Sequence, residues 1–163
     1  MILVVGIYDF GAAFNLKQEL NNALREGARF GAAQPTNDLC SLCASSPPSV
    51  DAIRSVVDSY LLTANIPDCG LKWAAGQNGG GPGFTWVYSN ASGCTGMLVL
   101  TIQRDFAVQE NVGPTTPVNL LGTQVSISYP YQWHFNNVLQ VLIPGAQLML
   151  TNVKTQATAA NMD

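Results

Sequence analysis

The stretch from Leu20 to Ala33, LNNALREGARFGAA, decides the fold of this 163-residue chain. Apolar and small residues recur in it at three- and four-residue steps, which is the period of one helix face. Upstream, only scattered glycines interrupt the pattern back to Ile2, and Pro35 is a stop signal. The sequence therefore predicts one long helix over residues 2–33.

One face of the predicted helix carries small residues at four-residue intervals: Ala23, Gly27 and Gly31. Each interior glycine costs about 1 kcal/mol relative to alanine, so this spacing indicates a surface on which another element packs closely. Packing on the chain's own sheet and packing on a neighbouring subunit both fit this face. We favour the sheet.

The beginning of the predicted helix is apolar but shorter than the roughly 20 residues that span a membrane. One reading is the buried first turn of a soluble helix. The other is the lower end of a membrane or filament-core helix, residues 1–14, whose upstream part lies outside this sequence. In the second reading, the residues that contact lipid or other subunits are Ile2, Leu3, Val4, Val5, Ile7, Phe10 and Phe14.

A second helix is predicted from the Ser49 N-cap to about Asn65, with apolar residues such as Ile53 and Val57 on one face. A short strand is predicted at residues 71–75, and the glycine-rich residues 76–83 are predicted to form a connecting loop. Without the Gly-Lys-Ser/Thr ending and a following helix, that loop does not match a phosphate-binding motif.

The remainder of the chain alternates as β-strands do. Strands are predicted at residues 84–88, 97–106, 125–135 and 147–156, and Pro130 indicates that the third of these is an edge strand or is bulged. The fold class is therefore α+β, with two helices packed on an antiparallel sheet of about four strands. Between the last two strands, an apolar contact patch is predicted from Val138, Leu139, Val141, Leu142 and Ile143.

The charge pattern excludes one class of partner. Seven basic and ten acidic side chains give a formal net charge of −3, and they are scattered singly along the chain. Binding to a phosphate backbone needs a basic patch, which this sequence lacks. We expect no nucleic acid partner.

Four cysteines, Cys40, Cys43, Cys69 and Cys94, favour an oxidising compartment and up to two disulfides of undetermined pairing. Cys40 and Cys43 have the spacing of a redox pair. Such a pair normally opens a helix, whose N-terminus lowers the thiol pKa, whereas these two cysteines follow a helix. A four-thiolate zinc site needs a second close pair, which Cys69 and Cys94 do not form. Structural disulfides are the favoured interpretation.

No constellation of a nucleophile, a base and an orienting group emerges. The single histidine, His134, is predicted to lie on the polar face of a strand, without a serine, cysteine or aspartate placed beside it by a motif. We expect no enzymatic activity, no cofactor, no metal and no small-molecule ligand.

Two motifs resemble the N-terminal helix of TadE-like minor pseudopilins of tight-adherence systems. The first is Gly6-Ile-Tyr-Asp-Phe-Gly11, and the second is Arg25-Glu-Gly-Ala-Arg-Phe30, which is the more specific. In outline, residues 125–130 are similar to a late strand of that family, and residues 156–163 to its C-terminal tail.

The resemblance implies a pilin-like fold, with residues 15–163 as an extracytoplasmic domain, and a non-enzymatic role in assembling a Tad or type IV-like pilus or secretion filament. It implies other pilin subunits as partners, anchoring through the N-terminal helix in the bacterial inner membrane, and a location in the periplasm or in an extracellular filament. Two alternatives remain open. One is an adhesin-like binding module at a pilus tip, using Trp86 or the glycine-rich loop, and the other is a thiol oxidoreductase using Cys40 and Cys43.

Overall fold

The computed structural model describes residues 2–39, 45–80, 84–111, 117–133 and 151–161. The first helix, α1, runs from Ile2 to Ala32, which confirms the long helix predicted from the sequence. It ends where Ala33 and Gln34 close two turns onto the carbonyls of Phe30 and Gly31, just before Pro35. Arg104, fully buried, donates a hydrogen bond of 2.9 Å to the carbonyl of Gln34 and so places a cation at this helix end.

The second helix, α2, spans Pro48–Thr63 and begins two residues earlier than an N-cap at Ser49 predicts. Ser49 is not its N-cap; Pro47 holds that position, and a proline at the first helical position suits its fixed φ. The capping acceptor is instead Asp38, whose carboxylate accepts the backbone N–H of Ser49 at 2.8 Å and its hydroxyl at 2.9 Å. A carboxylate at this end also complements the helix dipole.

Within the described residues the sheet has five antiparallel strands in the order β1-β2-β3-β4-β5, where the sequence predicted about four. The strands are β1 (Gln77–Asn78), β2 (Phe84–Asn90), β3 (Leu98–Asn111), β4 (Pro117–Tyr131) and β5 (Thr151–Ala160). The additional strand, β1, lies inside the predicted glycine-rich loop and pairs with β2. The strand predicted at residues 71–75 is wrong, because Leu71–Trp73 form a 3-10 turn in which the N–H of Trp73 bonds the carbonyl of Gly70.

Two strand bounds differ from the sequence prediction. Strand β4 begins at Pro117, eight residues before the predicted start, and β5 ends at Ala160, four residues after the predicted end. Residues 134–150, which include the predicted contact patch Val138–Ile143 and His134, lie outside the described residues. A β-bulge in β3 between Gln103 and Phe106 accommodates one extra residue.

Pro130 lies in an inner strand, since β4 pairs with both β3 and β5, and it is neither in an edge strand nor at a bulge. The backbone N–H of Asn161 donates a hydrogen bond to the carbonyl of Leu121. Since hydrogen-bonded pairs alternate along an antiparallel ladder, the backbone groups of odd-numbered β4 residues point to β5 and those of even-numbered residues point to β3. The last pair with β3 is Val99–Ser128. Pro130 therefore faces the β3 side beyond the end of that pairing, where a missing N–H removes no ladder bond.

The core lies between the sheet and the two helices. Its members share near-complete burial and include Leu20 and Leu24 of α1, Ile53 and Val57 of α2, and Trp86, Leu100, Ile102 and Val125 of the sheet. A disulfide joins Cys69 to Cys94, with the Cα atoms 5.2 Å apart, and closes a 25-residue separation in sequence. Cys40 and Cys43 lie outside the described residues.

Candidate assembly surface on the first helix

The N-terminal half of α1 exposes large apolar side chains. The exposed fraction is 69% for Val4, 65% for Ile7, 70% for Tyr8, 67% for Phe10 and 56% for Phe14. Burial of such a side chain is worth about 1.5–3 kcal/mol, so five of them along one helix segment form an apolar surface of the kind that marks an interaction site. We call these five residues the apolar stripe.

The opposite side of the same half-helix is held against the sheet. Asp9 is 1% exposed, and its backbone carbonyl accepts a hydrogen bond of 3.2 Å from the hydroxyl of Tyr131. Burial, followed by the nearby charge of Asp9, raises the pKa of Tyr131 above its ordinary value and keeps the hydroxyl protonated as a donor. Leu16 continues this contact toward the core. The apolar stripe is thus presented by a helix docked on β4 and β5.

The C-terminal half of α1 has no such surface, because its small residues are buried inside the chain. Ala23 is fully buried, and a Cβ added at Gly27 would lie 2.7 Å from Cγ2 of Val57 on α2. A Cβ added at Gly31 would lie 2.7 Å from Cγ2 of Thr123 on β4 and 2.8 Å from Cδ1 of Ile53 on α2. The small-residue face therefore packs on α2 as well as on the sheet that the sequence analysis favoured.

The remaining predicted contact residues are less fully described. The backbone of α1 includes Ile2, Leu3 and Val5, whose side chains are not among those that the structure describes. No helix within the described part of the chain is both long and apolar enough to cross a membrane.

A polar cluster that sequence reasoning missed joins α2 to β2. Asp51 accepts hydrogen bonds from the hydroxyl of Tyr88 at 2.7 Å and from that of Ser46 at 2.8 Å, and the guanidinium of Arg54 lies 5.7 Å from the centre of the Tyr88 ring. Burial raises the pKa of Tyr88 strongly, so the phenol remains a neutral donor. The buried phenol and its internal partners suit a contact that joins two elements of the fold. The signal that could have found it is the hydroxyl of Tyr88 on the same face of the strand as Phe84 and Trp86.

The geometry bears on two ligand-binding alternatives considered from the sequence. Trp86 is 1% exposed and stacks on Phe84 with ring centres 6.2 Å apart, so it is a core residue and is not available to touch an adhesion ligand. Cys69 and Cys94 form a disulfide, so they cannot belong to a four-thiolate zinc site. Among the described residues, no group of three or more histidine, cysteine or acidic side chains could hold a metal ion.

The fold and this surface together define an α+β protein whose long N-terminal helix is buried along one side and apolar and exposed along the other. A family model described as TadE-like protein matches residues 1–29, which covers most of α1. This match confirms the resemblance predicted from the sequence and indicates a component related to the tight-adherence pilus, with the membrane or pilus association that this implies. No match to a curated protein or to a solved structure was found.

Proposed function

We propose that this chain is a non-enzymatic minor pilin or pseudopilin subunit of a Tad or type IV-like pilus or secretion filament. The observation that carries the proposal is the apolar stripe: five side chains, each more than half exposed, on the helix that matches the TadE-like family. Burying them against other pilin subunits or in the inner membrane would supply the free energy that offsets the cost of association.

The arrangement of α1 also supports a subunit that acts by packing. Its second half is fixed in the core by Leu20 and Leu24, while its first half is docked through Asp9 and Tyr131. The apolar stripe is therefore held in one orientation before any partner binds, which lowers the entropic cost of assembly. The Cys69–Cys94 disulfide supports an oxidising location such as the periplasm or the cell surface.

The test is a variant that makes the apolar stripe polar without touching the core. Ile7→Glu combined with Phe14→Glu places two carboxylates on exposed positions of α1. We expect the purified chain to keep its stability within about 0.5 kcal/mol, because both side chains face solvent in the isolated subunit. In cells that assemble the pilus, we expect filament number and co-purification with other pilin subunits to fall at least tenfold, by roughly the loss of two buried apolar anchors.

The matched control is Gln18→Glu, which adds a carboxylate to an exposed position of the same helix outside the apolar stripe. We expect filament number to stay at the wild-type level in this variant. Wild-type assembly by the Ile7→Glu and Phe14→Glu variant would contradict the proposal.

A further inference from the structure

The outer edge of β5 carries backbone groups that β4 does not use. The Asn161–Leu121 hydrogen bond and the unbroken β4–β5 register direct the N–H and C=O groups of odd-numbered β5 residues toward β4. Those of the even-numbered residues point away from the sheet. No strand among the described residues pairs with that edge, which is formed by Asn152, Lys154, Gln156, Thr158 and Ala160.

This edge is long and has little protection against pairing. At ten residues it extends about 33 Å, and it has no proline, no bulge and a single charged residue, Lys154. Natural proteins usually block an exposed edge by shortening it, bulging it or placing several charges and prolines on it. The opposite edge of the sheet, in contrast, is formed by the two-residue strand β1.

An open apolar groove of about 340 Å³ runs beside this edge, between β5 and the first half of α1. Phe10, Phe14, Trp133 and Val153 line it, and Val153 is half-buried on the helix-facing side of β5. The part of β5 that lines the groove is Asn152–Lys154, so a strand paired with β5 about 4.8 Å away would direct the side chain opposite this segment into the groove. The groove and the unused backbone groups therefore fit the same extended occupant.

The charges at the groove specify that occupant further. Lys17 of α1 and Lys154 of β5 both lie at the groove, and neither has a carboxylate within ion-pair distance among the described residues. Because side chains alternate along a strand and Val153 faces the helix, the exposed side chain of Lys154 extends from the opposite face of the sheet. The sequence of β5, TNVKTQATAA, contains no acidic residue. A second copy of the chain pairing through β5 would therefore bring two more cations and no counter-charge.

We propose that the outer edge of β5 and the adjoining groove form a strand-addition site for an extended segment of a partner protein, with alternating apolar side chains and a carboxylate. Main-chain hydrogen bonds to the even-numbered residues provide affinity, the groove takes an apolar side chain, and Lys17 and Lys154, one on each face of the added strand, favour an acidic segment. The groove shares Phe10 and Phe14 with the apolar stripe but not Val4, Ile7 or Tyr8, and its backbone contacts lie on β5. Peptide binding is measured on the isolated chain and so is distinguished from pilus assembly.

The experiment uses the full chain and two synthetic nonapeptides of alternating valine and threonine, with a central glutamate in one and a central lysine in the other. We expect the glutamate peptide to bind at least tenfold more tightly. Hydrogen exchange should show fast exchange at the even-numbered amides of β5 in the free chain, and protection of these amides when the glutamate peptide is bound.

Gln156→Pro tests the backbone contact directly, because the N–H of Gln156 points to the outer edge and its removal breaks no bond to β4. We expect this variant to lose at least tenfold in affinity for the glutamate peptide, and the control Gln156→Ala, which keeps the N–H, to stay within about twofold. Lys154→Glu, which leaves the backbone intact, should weaken the glutamate peptide and strengthen the lysine peptide.

Four results would each overturn the proposal. They are no binding of either peptide up to about 1 mM, equal binding to the Gln156→Pro and Gln156→Ala variants, protection of the even-numbered amides in the free monomer, and protection of them by self-association without peptide. The last two would show that the chain itself, or a second copy, occupies the edge.

Discussion

The two halves of α1 belong to one continuous helix and yet have opposite relations to the rest of the chain. In the second half, Leu20, Ala23 and Leu24 are fully buried, while in the first half Val4, Ile7 and Phe14 are more than half exposed. The large apolar residues lie on the inner face of the helix in its second half and on the outer face in its first half. One end of the helix is therefore buried in the chain's own core, and the other end is exposed to a partner. Substitutions should therefore affect stability in the second half and assembly in the first.

The largest expected effect comes from removing a buried side chain in the second half. Leu24→Ala deletes a fully buried leucine and should lower the free energy of unfolding by about 2–5 kcal/mol, because it leaves a cavity in the core. Phe14→Ala is the comparison in the first half, and there the change should remain under about 0.5 kcal/mol. Urea unfolding of the two purified variants measures both, and equal losses would contradict the division of the helix.

Glycine-to-alanine substitutions should change the free energy of unfolding in opposite directions in the two halves of α1. Gly31→Ala places a Cβ 2.7 Å from Thr123 and should cost about 1–3 kcal/mol through overpacking. Gly11→Ala places a Cβ with no atom within 4 Å and should stabilise the chain by up to about 1 kcal/mol through helix propensity. Thermal unfolding of both variants tests this, and stabilisation by Gly31→Ala would show that the small-residue face is not tightly packed.

The smallest effect concerns pH and lies in α2, which packs on the buried half of α1. Burial, followed by the charge of Asp68, raises the pKa of Asp58 above its ordinary value of 3.8. The folded chain thus keeps the carboxyl of Asp58 protonated at pH values where the unfolded chain has lost that proton. Ionisation of Asp58 therefore lowers the free energy of unfolding as pH rises from 3.8 through the raised pKa. Asp58→Asn should therefore stabilise the chain at pH 7.

Unfolding curves at several pH values check this prediction, because the gain from Asp58→Asn should disappear below about pH 3.8, where aspartic acid is protonated in both states. A gain of the same size at pH 3 and pH 7 would rule out the proton as its cause.

The long helix and the alternation of Val125, Ile127 and Tyr129 could be predicted from the sequence because both are local periodic patterns. Other features depend on distant contacts. Asp38 caps α2 from eleven residues upstream, and the two-residue strand β1 exists only through its pairing with β2. The alternation in β2 places Trp86 on one face of the strand, but it does not say whether that face meets the core or solvent. Only the packing of β2 on the helices determines that the face of Trp86 is buried.

At the candidate site, the apolar character of Val4, Ile7 and Phe14 could be predicted, but their exposure could not. The period of a helix gives the relative direction of its side chains, whereas the side that meets the sheet depends on docking contacts such as Asp9 with Tyr131. The outer edge of β5 was not predicted, because the order of strands in the sheet is a property of the folded chain.

We propose that the first half of α1 contacts other pilin subunits or the inner membrane and that the second half contacts neither. The most direct measurement is cross-linking in pilus-assembling cells, with a photo-reactive phenylalanine analogue in place of Ile7 or of Asn22, both of which are exposed on α1. We predict covalent adducts with pilin subunits or membrane lipid from the Ile7 position and none from the Asn22 position. Adducts from Asn22 alone, or from neither position, would contradict the account.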